Sequence, residues 1–241
     1  MSLSEKRALI TGGGTGIGAA IALALAKAGA LVAIAGRREE KLAQVADASG
    51  EKMLTHVVDV AERQSVADLF EWAGTELGPI DILVNSAGVN IPARLMSELD
   101  PANWDLLMQV NATGAYNCMR AVLPQMRQRE DGLIVNISSV AGKRAVMLGG
   151  VAYNASKFAM TALGMSVAQE EKDNGIRITN IYPGEVETPI LEARPVAPTE
   201  EHLARMLQPE DVAAAVLMVA NLPPRANVAE LVIKPTTQAF C

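Results

Sequence analysis

Tyr153 precedes Lys157 by four residues, a spacing that on a helix puts the two side chains one turn apart on the same face. A phenol titrates near pH ~10 and is alone a poor acid or base at neutrality. A fixed ammonium beside it favours the phenolate and lowers that value. The pair therefore reads as a proton donor and acceptor for carbonyl and alcohol chemistry, provided that a helix spans residues 152–172. Taken alone, the spacing is a weak signal, because a helical Tyr with a solvated Lys one turn on has the same pattern.

A second group of residues could hold a nucleotide. Thr11-Gly12-Gly13-Gly14-Thr15-Gly16-Ile17-Gly18 follows an apolar run and leads into a helical stretch. Glycines there let the backbone turn tightly and approach a pyrophosphate at the positive end of the helix. Gly12, Thr15, Gly16, Ile17 and Gly18 are the candidate contacts. At the end of the next apolar run an acidic residue would bind the ribose hydroxyls of NAD, whereas arginine accommodates the 2′-phosphate of NADP. The chain reads Ala35-Gly36-Arg37-Arg38 there, with no carboxylate before Glu39. Arg37, and with it Arg38, therefore favours NADP, with NAD the lesser expectation.

The elements that must position these groups alternate along the chain. Apolar runs at 7–11, 31–36, 53–60, 81–86, 132–138, 177–182 and 229–234 are continuous, as expected for strands buried on both faces. Helical patterns lie between them at 16–28, 39–48, 63–77, 101–129, 152–173 and 209–221, with Pro124 expected to kink or end the fourth. Such alternation predicts an α/β fold, a doubly wound seven-stranded parallel sheet with helices on both faces. No linker interrupts it, so residues 1–241 are expected to form one domain. The Pro-rich stretch 183–209 is long for a connection and is read as substrate loops at about 185–208.

Bulk properties exclude other classes. A net charge of -6 argues against nucleic acid, which needs basic surface. Cys118 and Cys241 are isolated thiols without zinc spacing, and His56 and His202 stand alone, so no metal site is expected. The apolar stretch 16–36 carries Lys27 and Gly29 and reads as a helix end and strand start, not a membrane span. A cytoplasmic protein is expected.

Taken together with Asp59-Val60, Asn85-Ser86-Ala87-Gly88, Asn111, Ile137-Ser138-Ser139 and Pro183-Gly184, these motifs resemble the short-chain dehydrogenase/reductase family almost end to end. The resemblance implies a catalytic tetrad of Asn111, Ser139, Tyr153 and Lys157. In that scheme Tyr153 exchanges a proton with the substrate oxygen, Ser139 holds that oxygen, Lys157 lowers the pKa of Tyr153 and holds the nicotinamide ribose, and Asn111 positions a water. Ser138, pointing the other way along a strand, is assigned a structural role. Asp59 and Val60 would meet the adenine, and Asn85, Ala87 and Gly88 the adenosine and ribose. Pro183, Gly184, Val186 and Thr188 would lie along the nicotinamide, with Thr188 on its carboxamide. Asn85-Ser86 replaces the family's usual Asn-Asn, and its frequent C-terminal Asp-Gly-Gly is absent.

The implied function is NADP-dependent interconversion of a carbonyl and its alcohol. Reduction of a 3-oxoacyl group on a carrier protein is the alternative, with Arg94, Arg127, Arg129, Lys143 and Arg144 as a possible basic docking surface. A catalytically silent nucleotide-sensing protein is the alternative from another class. A homodimer or homotetramer packed through helices 101–129 and 152–173 is implied as well.

Overall fold

The computed structural model describes residues 3–239; Cys241 lies outside them. Seven strands, β1 Arg7–Thr11, β2 Leu31–Gly36, β3 Met53–Val57, β4 Ile82–Asn85, β5 Gly132–Ile137, β6 Ile176–Pro183 and β7 Glu230–Ile233, form one sheet. Its order is β3-β2-β1-β4-β5-β6-β7 and every pairing is parallel. The chain winds outward from β1 in both directions, so the switch point lies between β1 and β4.

Side-chain alternation divides the core in two. Ala8 and Ile10 of β1 face one layer and Leu9 the other. The first layer packs helices α1 Gly16–Lys27 and α8 Pro209–Ala220 on the sheet through Ile21, Leu25, Val212 and Val216, with Leu42 of α2 Glu39–Ser49. The second packs α3 Arg63–Glu76 through Val66 and Leu69, and α5 Gly114–Arg129 through Cys118, Val122 and Met126. All six residues of β5 are buried, which explains why the strands read as unbroken apolar runs. Cys118 is deep in this layer, and burial pushes its thiol up to about 12.

The structure departs from the sequence reading in three places. The stretch 101–129 is not one helix. Helix α4 Pro101–Met108 passes through a π-turn, Gln109–Thr113, into α5. Pro124 stays inside α5, since it and Arg120, whose carbonyl loses a partner, both face solvent. Strand β3 stops at Val57, because Asp59 turns the chain: its Oδ1 accepts from Ala61 N (3.0 Å) while its own N–H donates to Ser65 Oγ (3.1 Å). The stretch 183–209 is also partly ordered, with a 3₁₀ turn Pro189–Ala193 and a short helix α7 Glu200–Leu203.

Helix α6 Val151–Glu171 carries Tyr153 and Lys157. It starts at Gly150, whose φ of +81° favours glycine and whose Cβ would lie 2.6 Å from the Cβ of Arg94. It ends in a 3₁₀ turn, Lys172–Asn174, closed by Gly175 in the left-handed conformation. Beneath the site, a ladder of buried amides joins three neighbouring strands. Asn85 donates to Asn136 (2.9 Å) and Asn136 to Asn180 (3.0 Å), so the strand ends that carry the site are cross-tied.

Candidate active site

A cavity of ≈ 630 Å³ opens at the carboxyl ends of the strands, on the switch point. Its first wall is the turn between β1 and α1. Gly12 has a φ of +68°, and a Cβ there would lie 2.7 Å from Ala87 N; a Cβ on Gly18 would meet Gly12 O at 2.3 Å. The first four N–H groups of a helix have no partner within it, so this narrow turn presents donors to an anion. Gly12, Thr15, Gly16, Ile17 and Gly18 all line the cavity. The Thr188 methyl lies 3.1 Å from where a Gly16 Cβ would be, closing the turn from the far side.

Beyond β2 the lining carries Arg37, Arg38 and Lys41, and the same end holds Asp59 and Val60. Arg38 donates to Thr15 Oγ1 at 3.4 Å. Lys41 stands out from the sequence reading only in space: it is four residues past Arg37 and one turn into α2, so its helix face brings it to the cavity. Glu39 does not line the cavity. The fit to a dinucleotide with a 2′-phosphate is good: a glycine cradle that no Cβ could share, then three cations, with no carboxylate at the end of β2.

Ala87, Gly88, Pro183, Gly184, Val186 and Thr188 continue the lining. Asn85 does not reach it; this side chain is buried in the amide ladder, and Ser86 takes its place in the wall.

At the other end, Ser139, Tyr153 and Lys157 come together. Ser139 caps the 3₁₀ turn Val140–Gly142, its Oγ accepting from Ala141 N (3.1 Å), and also hydrogen-bonds Tyr153. Ser138 turns toward α6, with Oγ donating to Lys157 O (3.3 Å) and 3.1 Å from Thr161 Oγ1. Lys157 Nζ donates to Ile137 O (2.9 Å) and stands 5.8 Å from the centre of the Tyr153 ring. Asn111 lies in the π-turn and does not line the cavity. It pairs with the backbone of Val89 in both directions (2.8 and 3.0 Å) and donates to Ser156 Oγ (3.0 Å). Asn111 Oδ1 and Lys157 Nζ each lie 3.5 Å from the position of a Gly88 Cβ.

The electrostatics differ from the sequence expectation. Burial raises the Tyr153 phenol above its ordinary value; the Ser139 hydrogen bond and the positive charge of Arg94 pull it back down. Burial also lowers Lys157 to about 8. Arg94 is thus a second cation acting on Tyr153, beside Lys157, whose Nζ stands 5.8 Å from the ring. Sequence reasoning had placed Arg94 on the surface, where a lone loop arginine usually belongs. It is 8% exposed, and only the meeting of three loops around it reveals this. Three of the other basic residues of the expected docking surface are paired elsewhere. Arg127 pairs with Glu171, Arg129 with Asp81 and Lys143 with Glu230. Asp81 adjoins the amino end of β4, so Arg129 stands at the opposite edge of the sheet from the cavity.

The open parallel sheet with a glycine turn at its switch point defines a dinucleotide-binding α/β protein. Residues 6–197 match the family model for short chain dehydrogenase, and the chain belongs to that family of oxidoreductases. It is 35% identical over 239 residues to an uncharacterized oxidoreductase of Staphylococcus saprophyticus, covering 98% of this chain and 99% of that one. It is 37% identical over 241 residues to a glycine betaine reductase of Emericella nidulans, covering 97% of this chain but only 19% of that protein. Among solved structures, the closed form of a serine dehydrogenase complexed with NADP+ superposes with a TM-score of 0.90 at 30% identity, over 97% of this chain and 96% of that one. Among the described residues, no helix is long and apolar enough to cross a membrane, and no group of three His, Cys, Asp or Glu could hold a metal ion.

Proposed function

We propose that this protein is an NADP(H)-dependent oxidoreductase that interconverts a small carbonyl compound and its alcohol. The observation that carries the reading is the convergence of Ser139, Tyr153 and Lys157 on one end of a cavity whose other end bears Arg37, Arg38 and Lys41. When bound, the nicotinamide supplies a hydride to the substrate carbon or takes one from it. In the reducing direction Tyr153 Oη donates its proton to the carbonyl oxygen as that carbon is reduced. Ser139 Oγ hydrogen-bonds the same oxygen and fixes its place. Lys157 holds the nicotinamide ribose, and Thr188 the carboxamide. Asn111 braces the turn at Val89, next to Lys157. Asp59 and Val60 contact the adenine, and Ala87 and Gly88 the ribose side.

The pairing of Arg127, Arg129 and Lys143 with carboxylates gives no support to docking of an acidic carrier protein, so small molecules are the favoured substrates. We read the whole chain as one nucleotide-binding domain of a cytoplasmic enzyme. Exposed Trp104, Tyr116, Phe158 and Met165 on helices α4, α5 and α6 support assembly into a homodimer or homotetramer. The test is NADPH oxidation by the purified protein on a small diketone, an aldehyde and an acetoacetyl thioester. Turnover of the first two supports the reading. Turnover of the thioester alone would shift it to acyl-chain reduction, and no turnover with either NADPH or NADH would leave a nucleotide-sensing protein.

A further inference from the structure

Arg94 is a buried guanidinium without an acid partner. Its three nitrogens each donate to a backbone carbonyl from a different loop: Nε to Ile91 (3.0 Å), Nη1 to Leu148 and Nη2 to Ala193 (2.9 Å). It forms no ion pair among the described residues. Neighbouring Arg194 pairs with Glu185 at 2.7 Å, and Glu185 also contacts His202 at 3.0 Å; Glu192 lines the cavity as well, but no ion pair joins a carboxylate of the described residues to Arg94. A buried charge left uncompensated is costly. A loop clasp needs N–H donors but not a charge, and neutral donors would serve it. A guanidinium has five N–H groups, of which the carbonyls take three. Arg94 lines the same end of the cavity as Tyr153, Ser139, Leu148 and Ala193.

We infer that Arg94 recognises an anionic group on the substrate, and that the carbonyl compound is a short oxo acid whose carboxylate faces Arg94 while its carbonyl oxygen faces Tyr153 and Ser139. A planar guanidinium held flat by three carbonyls is pre-set for such a contact, and charge-assisted bonds to a carboxylate are its strongest. The inference rests on the proposed carbonyl reduction and names its substrate class. The loop fastening also fits: a carboxylate on Arg94 would touch the residue that ties segments 91, 148 and 193 together, so the substrate would complete the closure of its own site.

The test compares 2-oxo and 3-oxo acids of three to five carbons with their methyl esters, alongside an aldehyde bearing a trimethylammonium group. Two readouts are needed. One is kcat/KM with NADPH. The other, which requires no turnover, is the shift in melting temperature of the NADPH-saturated protein. At least one acid is expected to exceed its ester by about tenfold or more in kcat/KM, through KM, and to stabilise the complex where the ester does not. R94M should bring the acid-to-ester ratio close to one, and R94K should keep part of it. Should R94M fail to fold, the wild-type ratio still decides. Esters or the cationic aldehyde matching or beating every acid in both readouts would overturn the inference while leaving carbonyl reduction intact. Stabilisation by acids with no reduction of any compound would do the reverse, retaining the anion site and refuting the proposed reaction.

Discussion

The proposed preference for NADP(H) is measurable before any substrate is known, because it is a property of binding. Replacing Arg37 by Ala removes one of the three cations at the adenosine end of the cavity and leaves Arg38 and Lys41. A charge-assisted hydrogen bond from a guanidinium to phosphate is worth about 1.5–3 kcal/mol. Arg37 is exposed, so water competes and the lower end of that range applies; exposed ion pairs often give less than ~1 kcal/mol. About 1.5 kcal/mol corresponds to roughly a tenfold rise in the Kd for NADPH. NADH has no 2′-phosphate and should bind R37A as it binds the wild type. Calorimetric titration of both nucleotides into both proteins gives the ratio directly. The wild-type preference should also shrink between about 0.1 M and about 1 M salt, as the Debye length contracts from ~10 Å to ~3 Å. If R37A weakens NADH and NADPH in parallel, Arg37 shapes the turn and does not read the phosphate, and the argument from the end of β2 fails.

Other expectations concern the catalytic end and the frame. Y153F should lower kcat by about 10²–10⁴-fold, the scale of a lost general acid, while the Kd for NADPH stays close to wild type; a rate near wild type would remove Tyr153 from the chemistry. Because burial holds Lys157 at about 8 and its ammonium is assigned to the ribose, nucleotide binding should favour the protonated form. NADPH affinity is then expected to fall as pH rises through 8, with proton uptake on binding seen as a heat that depends on the buffer's ionisation enthalpy; a buffer-independent heat at pH 9 would contradict it. G18A puts a Cβ 2.3 Å from Gly12 O, so this variant should lose most nucleotide affinity, which the same titration reads. Finally, Arg127 holds the buried Glu171 carboxyl below its ordinary value, with Asn174 contributing. That stability is present above the unfolded-state pKa and is lost as pH falls through the lower folded value. E171Q should therefore cost about 1–3 kcal/mol at pH 7, or roughly 2–12 °C in Tm, and progressively less in acid; a Tm difference that does not change with pH would refute the linkage.

Much of the frame was legible in the sequence because the physics that shapes it is local. Strands buried on both faces have to be continuous apolar runs, and Gly12 and Gly18 mark places where a side chain has no room. The π-turn was not legible. It follows from Asn111 bonding to Val89 and from Gly114 packing where its Cβ would lie 2.6 Å from Val60 Cγ2, contacts between segments far apart in sequence. Asn85 was misplaced for the same reason, since its amide partner sits on β5. Arg94 is read from sequence only as part of a basic surface, and Lys41 is not singled out, because a basic residue in a loop or on a helix start has the same local signature whether it faces water or a cavity. The tetrad positions, by contrast, came from a resemblance, and what the geometry adds is the set of partners each side chain has.

Those partners separate two tasks that the Tyr-Lys spacing alone would assign to one residue. Burial drives Tyr153 and Lys157 both toward their neutral forms, the phenol up and the ammonium down. A titrating cation is a poor permanent partner for an oxygen that must gain and lose a proton, because its own charge is lost in the same alkaline range. Arg94 does not have that weakness. Burial and Arg194 lower its pKa, yet a guanidinium starts above ~12 and keeps its charge at any physiological pH. Of the two cations near Tyr153, the one on the loop 90–96 does not titrate, whereas Lys157, bonded to Ile137 O in the cavity wall, does. On the proposed roles, the pH dependence of nucleotide binding would come from Lys157, while Arg94 would offer a charge that does not titrate to the substrate end, so the two effects would arise from different residues of one cavity.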